Sequence, residues 1–392
     1  NISINSHVVS ELKIENGSNI DLEKDFVEPL TIKYYTVTDG VSDGGVDVTE
    51  ECVITTTNEN VKVDKHKVIM AVTPNSNSMI TARYNDYSDT CNVAIPPEST
   101  IRHMFIKVLE DNTIISFSQQ SLEYSIDEGN TWFSLSPDNT MQNFNKGKVY
   151  FKQKINHTDG VGIGTFSVNK PFHVGGNILS LITGDEMTDL SASTTYFRTA
   201  FKNLFKDCNT LLKVSKTLLM GQTSLPIEAC VNMFEGCENL INAPDLPQGG
   251  NRTFNEMFKN CKSLVVPPVI SETVFMNNCN SMFSGCESLS YMSDFSFTTS
   301  LQSHQNMFQG CINLKDASNI TISNMGINSC ISMFSGCISL LNSPNIICSS
   351  VTASGAASMM FKGCSNLRYI KFLANTIDTS GENGVLSGWV AG

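Results

Sequence analysis

Apolar residues recur at a fixed spacing in the C-terminal half of the chain. The phrase Asn-Met-Phe-x-Gly-Cys-x-x-Leu occurs there seven times with small variations, and the steps from Phe to Phe are 29, 24, 25, 25, 26 and 27 residues. A period of this length is typical of stacked repeats, in which neighbouring copies bury a shared core. The predicted core columns are Phe205, Phe234, Phe258, Phe283, Phe308, Phe334 and Phe361; Cys208, Cys237, Cys261, Cys286, Cys311, Cys337 and Cys364; and Leu211, Leu240, Leu264, Leu289, Leu314, Leu340 and Leu367.

The first half of each repeat is predicted to be a short helix. Around Phe234, the residues Cys230, Met233 and Cys237 recur at three- and four-residue steps, which places them on one side of a helix. The residue two positions after Phe is Gly in five repeats and Asn or Asp in the other two. Gly and Asn accept the left-handed conformation that ends a helix, so we expect roughly two helical turns before this position.

The second half of each repeat is predicted to be a short strand. Leu367, Ile370 and Phe372 show the alternation of a strand with one buried face, and residues 314–322 show a looser version. A proline follows the column Leu in three copies, at Pro244, Pro267 and Pro344. Because proline removes a donor from the strand ladder, we expect these strands to be short or to start after it.

Residues 1–98 alternate in short apolar stretches separated by Asp, Asn, Gly and Pro. The predicted strands are 31–37, 52–55, 61–63, 67–72, 78–84 and 91–95. Short strands at regular spacing predict a β-sandwich of about 100 residues. Cys52 and Cys91 lie on separate strands and are candidates for a disulfide between the two sheets, a pairing that the sequence leaves open.

Residues 99–185 are predicted to form a small β domain that caps the open end of the repeats in residues 186–392. Its clearest phrase is Ser125-Ile-Asp127-Glu-Gly129-Asn-Thr131-Trp132, which resembles the Asp-box hairpin of sialidases and other propellers. We expect Asp127 to accept backbone donors, Gly129 to permit the turn and Trp132 to pack under it. A sialidase needs several such phrases and an arginine cluster, so this single copy indicates a structural hairpin.

The repeat phrase resembles the BspA-type leucine-rich repeats of bacterial surface proteins over about residues 200–372, and relatives occur in gut bacteria and their phages. The order of motifs in residues 1–98 is similar to that of bacterial immunoglobulin-like domains of the group 2 type, which act as spacers or adhesion units. The resemblances imply a multidomain, β-rich chain: an Ig-like β-sandwich at 1–98, a small β domain at 99–185 and a leucine-rich-repeat solenoid at 186–392. Residues 386–392 resemble the start of a longer closing segment, and the first residue is Asn1, so we expect the chain to be part of a longer protein.

Charge narrows the range of partners. The net charge of the 392 residues is −12, whereas residues 201–392 hold 11 Lys and Arg against 12 Asp and Glu, so the acidic excess lies in the first 200 residues. An acidic chain without a basic patch argues against nucleic acid and anionic membrane as partners. No run of 18 apolar residues is present, so we expect no membrane insertion within this chain.

Cysteine usage raises the question of disulfides and metal. Eleven of the 13 cysteines lie in the repeats, where Cys230, Cys279 and Cys330 form a second column seven residues before the first. We expect free, buried thiols that act as small apolar side chains. Disulfides between neighbouring repeats and a metal site remain as alternatives.

The sequence contains no recognisable catalytic, cofactor or metal motif. The six histidines lack metal-ligand spacing, and His304 stands where other repeats place Cys, so we expect it in the core. Asp185 and Glu186 are the nearest approach to paired carboxylates, but adjacent side chains point apart, so we interpret them as a solvated turn.

The remaining functional candidate is the surface of the repeats. Asn, Ser and Thr are abundant there, with isolated aromatics at Tyr291 and Tyr369, a mixture that suits a glycan or a protein surface. We therefore predict a non-enzymatic recognition or adhesion protein, displayed outside the cell on a bacterial envelope or a phage particle, that binds a host-surface protein or glycan without a cofactor. A structural fibre component and a fragment of a secreted glycan-processing enzyme are the alternatives, and the oligomeric state stays open.

Overall fold

The computed structural model shows a β-rich chain that divides into two compact units, residues 1–100 and 101–392. It describes residues 8–38, 41–97, 103–118, 122–135, 142–153, 163–185, 199–219, 228–246, 251–270, 275–298, 303–323, 329–351 and 357–377. The predicted segments at 186–198 and 386–392 lie outside these residues. We expected boundaries after residues 98 and 185; the structure places one at residue 100, and the small β region shares a single apolar core with the repeats.

The first unit consists of short, mostly antiparallel strands. They are β1 (Val8–Ile14), β2 (Asn19–Asp21), β3 (Val27–Pro29), β4 (Ile32–Thr38), β5 (Val41–Ser42), β6 (Val46–Asp47), β7 (Val53–Thr56), β8 (Val61–Val63), β9 (Val68–Ala71), β10 (Ser76–Tyr84) and β11 (Tyr87–Ile95), with a 3-10 helix at Thr49–Glu51. One sheet has the order β1-β4-β5 with β6 also on β4, a second has β2-β11-β10-β7, and a third has β3-β9-β8. The six predicted strands are confirmed as β4 and β7 to β11. Strands β2, β3, β5 and β6 were missed because two or three residues are too few to show an alternation, and the seven-residue strand β1 was missed as well.

The core of the first unit contains two cysteines that are not bonded to each other. Ile80, Ala82 and Val93 are fully buried on the central strands β10 and β11. Cys52 and Cys91 are buried beside them as free thiols. The disulfide that the sequence left open is therefore not formed in this structure.

The second unit begins with two sheets that lead directly into the repeats. Its first elements are β12 (Met104–Val108), β13 (Thr113–Phe117), β14 (Leu122–Ser125), β15 (Phe133–Leu135), β16 (Gln142–Phe144), β17 (Gly147–Gln153), β18 (Phe166–Val168), β19 (Phe172–Gly175) and the helix α1 (Ser180–Thr183). The larger sheet has the order β15-β14-β17-β12-β19-β20, and the smaller has β16-β13-β18. The last strand of the larger sheet, β20, belongs to the first repeat and pairs in parallel with β19.

The repeats stack in parallel, one strand spacing apart. Their strands are β20 (Leu211–Val214), β21 (Asn251–Thr253), β22 (Phe275–Asn278), β23 (Phe295–Thr298), β24 (Ile320–Ser323), β25 (Asn342–Val351) and β26 (Tyr369–Ile377). The seven column Phe rings lie face to face, with neighbouring centroids 5.1–5.7 Å apart. This distance is close to the spacing of about 4.8 Å between neighbouring strands.

The helix predicted in each repeat is wrong. Around Phe234 the chain forms successive tight turns, in which Met233, Glu235 and Cys237 donate backbone hydrogen bonds to the residue three positions earlier. The intervening amides do not bond within the repeat. Those of Asn232, Phe234 and Gly236 donate instead to carbonyls of the next repeat, at 2.8–3.0 Å. Every second amide therefore belongs to a ladder between repeats.

The stacking distance explains why turns replace helices. An α-helix with its side chains is about 10 Å wide, so helices cannot stack at the spacing of the Phe rings. Alternate amides can point towards the neighbouring repeat only if some residues adopt the left-handed backbone conformation. Each repeat has two such residues, which in this copy are Asn232 and Gly236, with φ of 56° and 75°. The left-handed conformation predicted at the Gly position is thus confirmed, but it serves a turn and not a helix end.

The expectation that strands near the prolines are short or start after the proline is wrong at Pro344. It lies inside the ten-residue strand β25, which neither ends nor starts at the proline. The missing amide interrupts the ladder, because the pairing with β26 skips from Asn342 to Asn345. The Ser343 hydroxyl fills the gap by accepting the backbone amide of Lys371 at 2.9 Å. Near Pro244 and Pro267 the described pairing is reduced to a single bridge between residues 242 and 266, as expected.

The cysteine column has a hydrogen-bonding role that composition did not reveal. Each column thiol donates to the carbonyl of the Phe in the preceding copy at 3.0–3.2 Å, as Cys237 does to Phe205. Burial raises the pKa of the Cys237 thiol well above its ordinary value, which keeps the proton in place. All cysteines with described side chains are free. A small apolar side chain with a donor fits this position, and Cys supplies both properties.

The first repeat is covered by a strand of the small β region. The ring of Phe166 stacks on Phe205 with centroids 5.5 Å apart, and its carbonyl accepts the thiol of Cys208. The backbone amide of Phe166 donates to Leu204 at 2.8 Å, as a column Phe does in the repeats. Phe166 therefore takes the place of a Phe in a preceding repeat and continues the core.

Candidate recognition surface

A row of side chains follows the column Leu on the outside of the repeats. We define the outer row as the residues two positions after each column Leu. They are Lys213, Asn242, Val266, Tyr291, Asp316, Asn342 and Tyr369. Leu and the residue three positions after it are buried or partly buried in every repeat, and the outer-row residue between them is at least partly exposed in five of the seven copies.

Backbone pairing places the two candidate tyrosines in this single row. The amide of Lys315 donates to the carbonyl of Ser290 at 3.2 Å, which sets Tyr291 beside Asp316. Asp316 forms a parallel bridge with Asn342, and Asn342 pairs with Tyr369. Tyr291 and Tyr369 are therefore three repeats apart, about 14 Å along the stack, with an acid and an amide between them. The sequence analysis identified both tyrosines, and the backbone pairing shows that they belong to one row.

The polar residues between the tyrosines are hydrogen-bonded to each other. Asn342 donates its side-chain amide to Asp316 Oδ2 at 3.1 Å, and Asp316 Oδ1 accepts the amide of Ser318 at 2.7 Å. Burial acts to raise the pKa of Asp316, but these hydrogen bonds outweigh it and hold the pKa below its ordinary value. The row thus carries a charged, oriented carboxylate at neutral pH, and 57% of the Tyr369 side chain is exposed nearby.

The outer row is accessible only in its later part. Asn242 and Val266 are buried, and the side chain of Asn242 bonds to both the amide and the carbonyl of Val214. At Lys213, burial lowers the pKa to about 8. The segment available to a partner therefore runs from Tyr291 to Tyr369.

The flanking surface changes character along the stack. The early repeats carry ion pairs between neighbouring copies, with Lys206 2.6 Å from Glu235 and Lys262 2.8 Å from Glu238. Six of the seven exposed large apolar residues in the described repeats instead fall in the last two copies: Ile338, Leu341, Ile347, Met359, Tyr369 and Leu373. The two ends of the repeat region thus offer different surfaces.

The other residues singled out by sequence have structural positions. His304 is fully buried at the position held by Cys230, Cys279 and Cys330 in other copies, which confirms the core prediction. The Asp-box hairpin is also confirmed. Asp127 Oδ1 accepts the backbone amide of Thr131 at 2.9 Å and the Ser125 hydroxyl at 2.8 Å, and the hydrogen bonds from Thr131 lower the Asp127 pKa most.

Asp185 was expected to lie in a solvated turn, and the structure gives it specific partners. Its carboxylate contacts His103 at 2.9 Å and Lys152 at 2.8 Å. Sequence reasoning missed this contact because the three residues come from distant segments without a shared motif.

Membrane, metal and family relationships add little to this picture. Within the described residues, no helix combines the length and apolarity needed to cross a membrane. In the same stretches, His, Cys, Asp and Glu side chains form no group of three or more able to hold a metal ion. No protein-family model and no curated protein matches the chain. Function is therefore inferred from the geometry of the repeats and of the residues on their surface.

Proposed function

We propose that the protein is a non-enzymatic recognition or adhesion protein that binds a host-surface glycan or protein through the outer row of its repeats. The observation that carries this proposal is the alignment of Tyr291, Asp316, Asn342 and Tyr369 at one position of consecutive repeats. Two aromatic side chains separated by oriented polar groups suit an extended, repeating ligand. Such a ligand contacts an aromatic ring at each end of this segment and an acid and an amide between them.

The finer architecture belongs to the same proposal. Residues 199–377 form a variant of the BspA-type leucine-rich-repeat solenoid in which tight turns take the place of the helix. Residues 1–98 form an Ig-like spacer built from three small sheets. Supporting this are the period of the repeats, their parallel pairing and the short antiparallel strands of the first unit.

Display outside the cell follows from the resemblance of the repeat phrase to bacterial surface proteins. A bacterial envelope and a phage particle both fit that resemblance. The acidic first 200 residues and the nearly neutral repeats fit a partner that is neither nucleic acid nor an anionic membrane.

The test is binding of the full chain to a glycan array and to whole cells. Tyr369→Ala and Tyr291→Ala should each weaken binding about tenfold, because each removes an aromatic contact from the row. Tyr35→Ala in the first unit is the matched control and should bind as the parent does. Equal binding by all three variants would show that the outer row is not the recognition surface.

A structural fibre component is the second candidate, and the exposed apolar residues of the last two repeats favour it. Ile347 and Leu373 are 46% and 54% exposed and lie opposite each other on β25 and β26. A neighbouring subunit would bury such a patch. Analytical ultracentrifugation of the full chain should then show an oligomer that Ile347→Ser with Leu373→Ser dissociates, and a monomer at all concentrations would exclude this function.

A fragment of a glycan-processing enzyme receives no support from the hairpin that suggested it. Both carboxylate oxygens of Asp127 bond to Ser125 or Thr131 within the turn. These hydrogen bonds hold the hairpin together, so they assign the Asp127 carboxylate a structural role.

A further inference from the structure

A cluster of five side chains lies on the larger sheet of the second unit, apart from the repeats. We name it the Trp132 cluster; its members are His103, Glu123, Trp132, Lys152 and Asp185. Lys152 is at its centre, with Nζ 4.3 Å from the Trp132 ring centroid, 2.8 Å from Asp185 Oδ2 and 3.9 Å from Glu123 Oε2. His103 contacts Asp185 Oδ1 at 2.9 Å and meets the Trp132 ring edge to face, with centroids 5.1 Å apart.

Adjacent strands bring these side chains to one face of the sheet. Glu123 on β14 pairs directly with Lys152 on β17. His103 immediately precedes β12, whose first residue pairs with the neighbour of Lys152. Trp132 precedes β15, at the end of the Asp-box turn, and this hairpin fixes its position.

Asp185 reaches the cluster through a separate anchor. Ser180 in α1 is fully buried and ties the helix to both strands, because its hydroxyl donates to the Phe151 carbonyl at 2.8 Å and accepts the Met104 amide at 2.9 Å. Gly184 then turns the chain with φ of 59°, where a Cβ would lie 3.3 Å from the carbonyl of Gln153. The carboxylate is thereby held over His103 and Lys152.

The carboxylate of Asp185 is much more exposed to solvent than the two side chains that contact it. The side chains of His103 and Lys152 are each 12% exposed, whereas that of Asp185 is 69% exposed. The hydrogen bond from Lys152 is the main cause that lowers the pKa of Asp185, and the bond from His103 adds to it. An ionised carboxylate therefore faces solvent in a fixed orientation, with one oxygen on each partner and further lone pairs available.

This arrangement does not suit acid–base catalysis by the His103–Asp185 pair. In a catalytic pair the second ring nitrogen of histidine must face the substrate. Here Nδ1 of His103 is buried and has no hydrogen-bond partner among the described residues. The cluster instead combines a partly exposed indole, held by Lys152 and His103, with fixed hydrogen-bond acceptors.

We propose that the Trp132 cluster is a binding site for a neutral saccharide. A pyranose ring has an apolar C–H face that packs on an indole and hydroxyl groups that donate to carboxylates. The ammonium group of Lys152 covers one face of the Trp132 indole, so a sugar ring packs on the other face. The carboxylates of Asp185 and Glu123 accept hydrogen bonds from the sugar hydroxyls. The indole and the Asp185 carboxylate are both held in place before binding, which reduces the entropy lost when a ligand is ordered. The exposed negative charge of Asp185 disfavours acidic sugars.

The experiment uses the full chain with Trp389→Phe, which leaves Trp132 as its single tryptophan because the sequence has two. The probes are the methyl pyranosides of glucose, galactose, mannose and N-acetylglucosamine. At millimolar concentration, at least one should change the Trp132 emission and show saturation transfer from the protein in NMR spectra. Failure of all four in both measurements, with a native circular dichroism spectrum, overturns the proposal.

Two variants locate the site. Asp185→Ala removes an exposed side chain and should weaken binding about tenfold or more, because hydrogen bonds to a charged acceptor are lost. Glu110→Ala is the matched control and should leave the affinity unchanged, because Glu110 is another exposed carboxylate of the second unit, 3.8 Å from Lys170, and lies outside both proposed surfaces. Unchanged affinity in Asp185→Ala would show that the sugar binds elsewhere. Loss of outer-row binding with an intact Trp132 response would refute the recognition proposal alone.

Discussion

The two units of this protein satisfy their β-strand hydrogen bonds in different ways. In the first unit, β10 pairs along its whole length with its antiparallel neighbour β11, and burial alternates from residue to residue. In the repeats, each strand or turn pairs in parallel with the equivalent residues of the next copy. A residue of the first unit therefore packs against different residues on its neighbouring strands. A repeat residue must fit the turn of its own copy and also pack against the equivalent residues of the copies before and after it.

The cysteines show what this difference means for side chains. The thiol of Cys91 in the first unit lies 3.5 Å from the carbonyl of the adjacent residue, Asn92. The thiol of Cys286 in the repeats donates at 3.1 Å to Phe258, 28 residues away in the preceding copy. In the first unit, the burial of a small apolar side chain is enough to explain Cys91. In the repeats, the hydrogen bond that the Cys286 thiol donates to the preceding copy is a further reason for cysteine at this position.

The largest expected effect is at the centre of the Phe column. The ring of Phe283 lies between Phe258 and Phe308, at centroid distances of 5.5 and 5.4 Å. Phe283→Ala should lower the free energy of unfolding by about 3–5 kcal/mol and raise amide exchange in the adjacent repeats. Phe26→Ala in the first unit is the control and should raise exchange only there. Exchange by mass spectrometry decides, and an effect of Phe283→Ala confined to its own repeat would contradict the shared core.

The second largest expected effect is that alkaline pH destabilises the repeats more than the first unit. Burial raises the pKa of Cys208 and Cys279 to about 12, from an ordinary value of 9.0. Above pH 9 the unfolded chain releases these protons before the folded chain does, so stability falls as the pH rises from 9 towards 12. Lys213, with its pKa lowered to about 8 from 10.5, acts in the opposite direction but is a single group against a column of thiols.

The measurement is amide exchange at pH 8 and pH 10, corrected for the intrinsic rate. Protection of the repeats should drop between these values, while the first unit, which has Cys52 and Cys91 alone, loses less. Equal losses in the two units would mean that the thiol column has no special role at alkaline pH.

Alanine and serine substitutions should affect stability differently at Cys286 in the repeats and at Cys91 in the first unit. Cys286→Ala removes the donor to Phe258 and should cost about 1–2 kcal/mol, and Cys286→Ser should cost less than Cys286→Ala because the hydroxyl retains a donor. At Cys91 the order should reverse, because a buried hydroxyl there gains no comparable acceptor. Denaturant unfolding of the four variants tests this, and the same order at both sites would remove the role assigned to the thiol.

The smallest effect concerns the first left-handed residue of each repeat. Ser281 has φ of 54° where other copies have Asn232 or Asn306. Ser281→Asn should stabilise the repeats by about 0.5–1 kcal/mol, because Asn tolerates this conformation better. Ser76→Asn, within strand β10, should not stabilise the first unit. A destabilised Ser281→Asn protein in a thermal melt would contradict the turn geometry.

The sequence predicted the columns of the repeats but not the path between them. Phe, Cys and Leu at fixed spacing define a core whatever the local backbone is, so their burial followed directly. The helix did not, because apolar residues at three- and four-residue steps also line a series of tight turns. Glu256, Ser281 and Met359 hold the extra left-handed position, and none of them favours that conformation.

The candidate sites were predictable to unequal degrees. Tyr291 and Tyr369 stand out as aromatics in a polar surface, and their common row follows once the repeats are aligned. The Trp132 cluster was not predictable, because His103, Lys152 and Asp185 lie 49 and 33 residues apart along the chain. Only the sheet and the anchor at Ser180 bring them together.

The alternating amides give the stack of repeats a net dipole along its axis. In three positions of each copy, a peptide group accepts a hydrogen bond from the preceding copy and donates one to the next, as the group between Met233 and Phe234 does. These peptide dipoles align head to tail along the stack, as they do along an α-helix, although no helix is present. Along the described repeats, the positive side of each dipole therefore points towards Met359 and Gly363, and an acidic group on that side of a copy would be stabilised by about 0.3–1 kcal/mol.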